Sequence, residues 1–273
     1  YGAQGGVSIG GLFLAGAVPG LMIGLAMMIY SYVYAIRRGL PAEARPTVKE
    51  FAVAWKEGFL PLLVPVIIIG GVLTGKFTAT ESGMVATVYV LFLMFVFYRS
   101  ARLRELPKIL SEAAVLYSQP LLAVAAASVF GWLLAYFQAP QMIVGIMGDM
   151  TGSIPLTLLS IMVVFIIVGT FMDAIPAIII FMPIVTKLLE TSGANAIHGG
   201  IIVVMTLALG LVTPPYGLCL LLASAIGKVP VVRVLPHIMA FYAIIVGIIV
   251  TIVFLPEIAL FLPRLVMPQF VGN

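Results

Sequence analysis

One acidic side chain and one pair of prolines interrupt the apolar second half of the sequence, where an ordinary membrane helix would carry neither. Asp173 is the only carboxylate in the stretch 157–186. An aspartate at the centre of a bilayer costs about 2.5–3.5 kcal/mol on insertion scales, which predicts a partner such as a cation, a proton or a hydrogen-bond donor. Thr213-Pro214-Pro215 removes two backbone donors from a second apolar run and opens the helix there.

Each interruption also predicts exposed helix ends. Pro176 belongs to the first turn of a helix that starts after Asp173, so the residues just before it do not continue the preceding helix. Carbonyl oxygens near Gly169 and Thr170 then lose their helical partners, and free N–H groups near Ala174 mark a new helix N-terminus. Such paired ends suit a small cation beside an anionic group of a substrate.

The second break repeats this chemistry. The carbonyls of Gly210 to Val212 lose their partners, Thr213 offers a hydroxyl, and Gly217 lets the chain restart. Two such breaks close in sequence are typical of a midplane site for a substrate and a coupling ion. A plainer interpretation of each stays open: Asp173 caps the next helix and bonds to a neighbour, and the prolines make a kink that packing relieves.

The composition places these breaks in a membrane. Of 273 residues, 63% are hydrophobic and only 9% are charged, whereas soluble domains carry about 25% charged residues. Long apolar stretches between short polar loops indicate helices rather than a β-barrel. The net charge of +4 comes from basic residues in short loops, so it is a topology signal and not a nucleic-acid site. No P-loop, zinc-protease or serine-hydrolase motif is present in the sequence, which argues against an enzyme.

The apolar runs divide the chain into spans, surface helices and broken segments. Spans are predicted at 11–36, 59–75, 82–98, 118–137 and 238–255, surface helices at 47–58 and 103–117, and broken segments at 154–190 and 199–227. His198 and His237 fall at helix ends and are interpreted as interfacial, and Glu81 as an exposed residue that starts a helix.

The segment 154–190 is predicted to enter the membrane and return to the same side as a re-entrant hairpin. Its first arm, Ile154 to Gly169, has 16 residues and reaches roughly 24 Å, less than the hydrocarbon core of about 30 Å. With that course, loops 37–57, 99–108 and 228–233 share one side and hold eleven of the 14 lysines and arginines. The positive-inside rule makes that side cytoplasmic.

Four stretches resemble the large membrane subunit of the tripartite ATP-independent periplasmic (TRAP) transporters, of the DctM or SiaM type. The matching runs are L-F-L-A-G-A-V-P-G-L (Leu12 to Leu21), G-K-F-T-A-T-E-S-G-M-V-A-T-V-Y (Gly75 to Tyr89), G-T-F-M-D-A-I-P-A-I-I-I-F-M-P-I (Gly169 to Ile184) and G-L-V-T-P-P-Y-G-L-C-L (Gly210 to Leu220). They occur in order along nearly the whole chain, and the last two are highly specific in combination.

The resemblance implies a two-repeat elevator fold of the ion-transporter superfamily, in the bacterial inner membrane. It also implies coupling to sodium, a small four-helix membrane partner (the Q subunit), and a periplasmic binding protein that delivers an organic acid such as a C4-dicarboxylate or sialic acid. The resemblance also implies a first repeat, which is expected before Tyr1. The chain therefore looks like the C-terminal repeat, and half of the substrate cavity is expected from residues outside it.

By the same resemblance, the sodium site maps onto the hairpin tip and the broken helix. Expected sodium-binding residues are Gly169, Thr170, Asp173, Gly210, Val212, Thr213 and Gly217, and expected substrate-binding residues are Thr170, Ala174, Thr213, Pro214 and Pro215. Na+ is expected as the coupling ion, with no cofactor.

The sequence thus predicts an all-α membrane protein, a multi-span helical bundle with a re-entrant hairpin and a broken transmembrane helix. Residues 1–117 are expected to be mainly scaffold spans and interfacial helices, 118–235 the transport region, and 236–273 the final scaffold span and tail. Its expected partners are the Q subunit, the periplasmic binding protein, the N-terminal repeat of the same permease, the organic-acid substrate and lipid. A channel, or a structural membrane subunit without ion coupling, is the alternative function.

Overall fold

The computed structural model describes residues 1–41, 46–147, 152–215 and 217–268, and within these ranges it contains helices and no strand. In chain order the α-helices are α1 (Gly2–Gly5), α2 (Ile9–Arg38), α3 (Val48–Leu73), α4 (Ala79–Phe92), α5 (Leu106–Tyr136), α6 (Ala139–Met147), α7 (Ile154–Gly169), α8 (Ala174–Ser192), α9 (Ala196–Gly210), α10 (Leu218–Gly227), α11 (Val231–Phe254) and α12 (Glu257–Val266). A π-helical turn, Leu93–Phe97, continues α4, and a 3₁₀ turn, Leu103–Glu105, precedes α5.

Six helical segments of the described chain are long and apolar enough to cross a membrane. They are Ile9–Arg38, Val48–Leu73, Ala79–Phe97, Leu103–Tyr136, Ala174–Ser192 and Val231–Phe254. The apolar helices α7 and α9 are shorter, with 16 and 15 residues. The all-α, multi-span membrane class is therefore confirmed, and the re-entrant course of the hairpin stays a prediction.

Both predicted surface helices are parts of longer helices, so their predicted ends were wrong. Residues 47–58 continue through Pro61 as the helix α3. A proline inside a helix leaves the carbonyl four residues earlier without its donor, here that of Glu57. The hydroxyl of Tyr98 donates a hydrogen bond to this carbonyl. A donor from a neighbouring helix thus replaces the missing bond, and the helix need not end.

Other boundaries also differ from the prediction. Residues 103–117 and 118–137 join in α5, so the predicted division after residue 117 falls inside a helix. The last span starts at Val231, and the broken helix begins at Ala196. Within the predicted tail, residues Glu257–Val266 form the helix α12. The helix α6 was not predicted.

The chain divides into two compact units, one formed by Tyr1–Tyr32 with Pro120–Asn273 and the other by Val33–Gln119. The assignment of scaffold and transport roles to parts of the chain stays a prediction.

In the unit Val33–Gln119, α3 and α4 form an antiparallel hairpin. Each helix starts with a capping box, in which a threonine and a glutamate three residues later bond to each other's backbone N–H, Thr47 with Glu50 and Thr78 with Glu81. The interpretation of Glu81 as an exposed residue that starts a helix is confirmed. The Tyr89 hydroxyl donates to the Leu60 carbonyl at 3.0 Å and ties the two helices together midway.

The close approach of α3 and α4 depends on Gly71. A Cβ atom at this position would lie 2.5 Å from the buried Oγ of Ser82, whereas one at Gly70 would meet nothing within 4 Å. We expect Gly71→Ala to destabilise the protein by about 1–3 kcal/mol through overpacking. Gly70→Ala is the matched control, and is expected to be neutral or to stabilise by up to about 1 kcal/mol.

The unfolding midpoint of the detergent-solubilised protein measures this difference. Adding Ser82→Ala to Gly71→Ala should recover part of the loss, because the overlapping oxygen is removed. Equal midpoints for the two glycine variants would contradict the observed helix contact.

In the unit that contains both breaks, one hydrophobic core joins α7, α8, α9, α12 and the last turns of α11. Its fully buried members include Leu158, Phe165, Ile202, Leu207 and Ile252. Phe165 of α7 contacts Phe181 of α8 edge to face, with ring centroids 5.8 Å apart, so the two helices pack as a hairpin. Lipid tails are as apolar as these side chains, so tight van der Waals packing rather than exclusion from water holds such helices together.

Candidate functional site

The C-terminal ends of α7 and α9 meet backbone to backbone. A Cβ atom built on Gly210 would lie 2.5 Å from the carbonyl oxygen and 2.6 Å from the Cα of Gly169. Only two glycines permit this approach, because any side chain on Gly210 would overlap main-chain atoms. The structure therefore brings together two residues that the sequence predicted for one site, from segments about 40 positions apart.

The hairpin tip begins where α7 ends at Gly169. The Thr170 hydroxyl donates to the Ile167 carbonyl at 2.7 Å, and the N–H groups of Phe171 and Met172 both donate to the Val168 carbonyl. No backbone N–H of the described chain donates to the carbonyl of Gly169 or Thr170. As predicted, these two carbonyl oxygens at the C-terminus of α7 have lost their helical partners.

Asp173 starts the return arm as its N-cap. Its Oδ1 accepts the N–H of Ala174 at 2.7 Å, and α8 continues through Pro176. The side chain of Asp173 is half-buried. The plainer interpretation, that this carboxylate caps the next helix, is thus correct for one of its two oxygens. The Ala174 N–H, predicted to be free for a substrate, is already bonded.

Asp173 also lines an open groove between α5 and α8. Small side chains of α5 face it there, and the remaining walls are apolar; the lining residues are Ala123, Ala126, Ala127, Phe130, Met172, Asp173, Pro176 and Ile180. Asp173 is the one charged group among them. A cation or a polar ligand in this groove would therefore find its strongest partner at the hairpin tip.

The packing of α5 on α8 follows from a proline as well. Pro183 has no N–H to offer the carbonyl of Ile179, and the backbone of Gly131 on α5 lies against that carbonyl. A Cβ on Gly131 would be 3.1 Å from the oxygen. Position 131 was not singled out from the sequence, because its importance depends on a carbonyl almost 50 residues away.

The second break, between α9 and α10, is more fully hydrogen-bonded than predicted. The Gly210 carbonyl accepts the Thr213 N–H at 2.9 Å, and the Leu211 carbonyl accepts the Cys219 N–H at 3.0 Å. The Thr213 hydroxyl donates to the Leu209 carbonyl at 2.8 Å. The expectation that the carbonyls of Gly210 to Val212 all lose their partners was therefore wrong for two of the three. Only the Val212 carbonyl accepts no bond from the described residues.

The chain restarts at Gly217, as predicted. This residue has φ 34° and precedes α10, and a Cβ on it would lie 3.1 Å from the Thr213 carbonyl oxygen. Both the left-handed backbone and the crowding favour glycine. Pro214 and Pro215, predicted to contact a substrate, are exposed and joined by a cis peptide bond.

The groups at the two breaks are oxygen donors, the ligand type that hard cations prefer. Two helix C-termini in contact place two partial negative charges, each of about half an electron, side by side. Free carbonyl oxygens, two threonine hydroxyls and one half-buried carboxylate lie near these ends in sequence. No group of three histidine, cysteine, aspartate or glutamate side chains that could hold a metal ion occurs in the described part of the chain.

His198 is a residue whose position the sequence did not predict. It is 3% exposed, and its Nε2 lies 2.9 Å from the Ile252 carbonyl of α11. The ring of His198 is thus packed under α11 and α12, and the interpretation of this residue as interfacial stays a prediction.

The sequence is similar to those of known membrane permeases. A family profile described as "Tripartite ATP-independent periplasmic transporter, DctM component" matches residues 1–258. The sialic acid TRAP transporter large permease protein SiaM of Vibrio cholerae is 33% identical over 265 residues, which cover 97% of this chain and 62% of that protein. The C4-dicarboxylate TRAP transporter large permease protein DctM of Pseudomonas aeruginosa is 35% identical over 264 residues, again 97% and 62%.

Relatives with other named substrates are similar to the same degree. The ectoine TRAP transporter large permease protein TeaC of Halomonas elongata is 34% identical over 262 residues, or 96% of this chain and 61% of the relative. The chain thus spans 61–62% of the length of these three relatives.

Proposed function

We infer from this similarity that the chain belongs to the DctM family of TRAP transporter permeases, and we propose that it forms part of a sodium-coupled permease that imports an organic acid. In this proposal the hairpin α7–α8 and the broken helix α9–α10 carry the ion and the substrate across the membrane by an elevator movement. The loops 37–57, 99–108 and 228–233 face the cytoplasm of a bacterial inner membrane.

The observation that carries the proposal is the contact between Gly169 and Gly210. Two negative helix ends repel each other, and a sodium ion bound at the adjoining carbonyls would offset this repulsion. A sodium ion is small enough for such a site and needs only oxygen ligands, which both breaks supply. Asp173, four residues beyond the end of α7 at Gly169, adds a full negative charge.

The proposed partners complete the transporter. A small membrane subunit (Q) stands beside the chain, a periplasmic binding protein delivers the substrate, and an N-terminal repeat of the same permease supplies the other half of the cavity. The relatives' names include sialic acid, C4-dicarboxylates and ectoine. These three solutes carry a carboxylate, whereas a further relative, 34% identical, is named for isethionate, which is a sulfonate. We therefore propose an organic acid as the substrate, without choosing among them.

Uptake by the intact transporter tests the proposal. The complete permease and its binding protein are reconstituted in proteoliposomes and given a panel of radiolabelled organic acids, with either a sodium or a potassium gradient. We expect one or more acids to accumulate several-fold faster with inward sodium. Uptake that is equal in sodium and potassium would contradict ion coupling, and an ionic conductance far above carrier turnover would indicate a channel.

A further inference from the structure

The buried ring of His198 joins the beginning of α9 to the end of α11. Its Nε2 lies 2.9 Å from the carbonyl oxygen of Ile252, and both residues are buried. A carbonyl only accepts hydrogen bonds, so Nε2 carries the proton in this contact.

The Ile252 carbonyl needs an outside donor because of Pro256. In a regular helix this carbonyl would accept the N–H of the residue four positions later, and proline has none. Ile252 is fully buried, so water does not take that place. An unpaired buried carbonyl costs about 1–3 kcal/mol, which makes the bond from His198 a specific and stabilising one.

The axial position of α9 is therefore set at its first turn. Asn195 caps the helix by accepting the N–H groups of Ile197 and His198. A Cβ on Gly199 would lie 2.6 Å from the side chain of Leu189, so α8 packs closely against the same turn. Gly210, which contacts Gly169, lies twelve residues after His198, or about 18 Å along the rigid helix α9.

We propose that His198 is a positioning residue for the sodium site: by anchoring α9 to α11 it holds Gly210 in register with Gly169. A shift of α9 along its axis by even part of a turn would separate the two glycines and misplace the carbonyls after them. The proposal rests on the proposed function, because it assigns His198 an effect on sodium binding. It involves no change of protonation, since a neutral donor is sufficient.

The test compares His198→Leu with His198→Gln in the complete transporter. The side-chain amide nitrogen of glutamine reaches about as far as Nε2 and can donate the same bond, whereas leucine fills similar space without a donor. We expect His198→Leu to raise the sodium concentration for half-maximal uptake by about tenfold or more, because a buried hydrogen bond is lost. His198→Gln keeps a donor and should raise this concentration less than about threefold. His237→Gln is the control, since the His237 ring contacts the Arg233 carbonyl of its own helix.

A second substitution separates positioning from mere stabilisation. Pro256→Ala gives Ile252 a backbone donor in its own chain and lets α11 extend. In the His198→Leu background it should restore the unfolding midpoint but not the sodium affinity, because α9 stays detached from α11. Recovery of both would overturn the positioning role and leave His198 as a cap of α11. Unchanged sodium affinity in a folded His198→Leu variant would overturn it too.

A readout that does not need transport distinguishes failure of this inference from failure of the proposed function. Cys219 is the only cysteine of the chain, is exposed, and lies just after the second break, where its N–H bonds to Leu211. Peptide mass spectrometry follows its maleimide labelling. We expect His198→Leu to change the labelling rate several-fold and His198→Gln to leave it unchanged, even if uptake proves independent of sodium. Equal rates in all variants would overturn the inference.

Discussion

Gly210→Ala is expected to abolish uptake, because the added methyl group would meet main-chain atoms that cannot rotate away. The Cβ would lie 2.5 Å from the oxygen and 2.6 Å from the carbon of the Gly169 carbonyl. Side chains relieve such overlap by changing rotamer, but here α7 or α9 must move as a whole. Overpacking of this kind costs about 1–3 kcal/mol or more, and the displacement falls on the proposed ion site itself.

Two other glycines give a graded comparison. A Cβ on Gly169 would lie 3.2 Å from the Cα of Gly210, a tight but smaller overlap, and one on Gly247 of α11 would meet nothing within 4 Å. Alanine at position 247 improves helix propensity by up to about 1 kcal/mol. Uptake should therefore fall in the order Gly247→Ala, Gly169→Ala, Gly210→Ala.

Sodium-dependent uptake and the unfolding midpoint are measured for each variant. If Gly210→Ala behaves like Gly247→Ala in both, then α7 and α9 do not meet at these residues, and the proposed site loses its main support.

The hairpin could be predicted almost to the residue because its signals are local. The apolar run to Gly169, the aspartate at position 173 and the proline at position 176 are adjacent, and each acts within one helical turn. The structure places the helix end at Gly169 and the next start at Ala174. The end of α9 at Gly210 follows in the same way from the prolines after it.

The features that escaped prediction all depend on partners distant in sequence. A boundary was predicted between residues 58 and 59, but α3 continues past it and through Pro61, and Tyr98 supplies a donor to the carbonyl that Pro61 leaves unpaired. His198 looked interfacial because it lies at a helix end, yet it bonds to a carbonyl 54 residues away that Pro256 leaves unpaired. In both cases the proline is visible in the sequence and its compensating side chain is not.

The candidate site was only partly predictable, because its helix ends depend on local sequence and its contacts depend on residues distant in sequence. Helix ends and oxygen-bearing residues could be read from the two breaks, but hydrogen bonds inside the second break use the Gly210 and Leu211 carbonyls that were expected to be free. The direct contact of Gly169 with Gly210 requires α7 and α9 to be neighbours. That is a property of tertiary packing, which no local pattern specifies.

Asp173→Asn is expected to remove the sodium dependence of uptake while the protein stays folded. Asparagine and aspartate are about equally good N-caps, so the amide oxygen can still accept the Ala174 N–H that Oδ1 accepts at 2.7 Å. The substitution therefore takes away the charge and keeps the cap. Sodium loses its one anionic ligand candidate at the hairpin tip, and uptake should become slow and similar in sodium and potassium.

Asp173→Ala is the matched variant that removes both functions. Loss of an N-cap costs about 0.5–2 kcal/mol, so its unfolding midpoint should be lower than that of Asp173→Asn, while both lack sodium-stimulated uptake. The opposite pattern, with normal sodium dependence in Asp173→Asn and only reduced stability in Asp173→Ala, would identify the carboxylate as a structural cap. The ion would then have to be held by the carbonyls and hydroxyls alone, and the single negative charge of the groove between α5 and α8 would have no part in coupling.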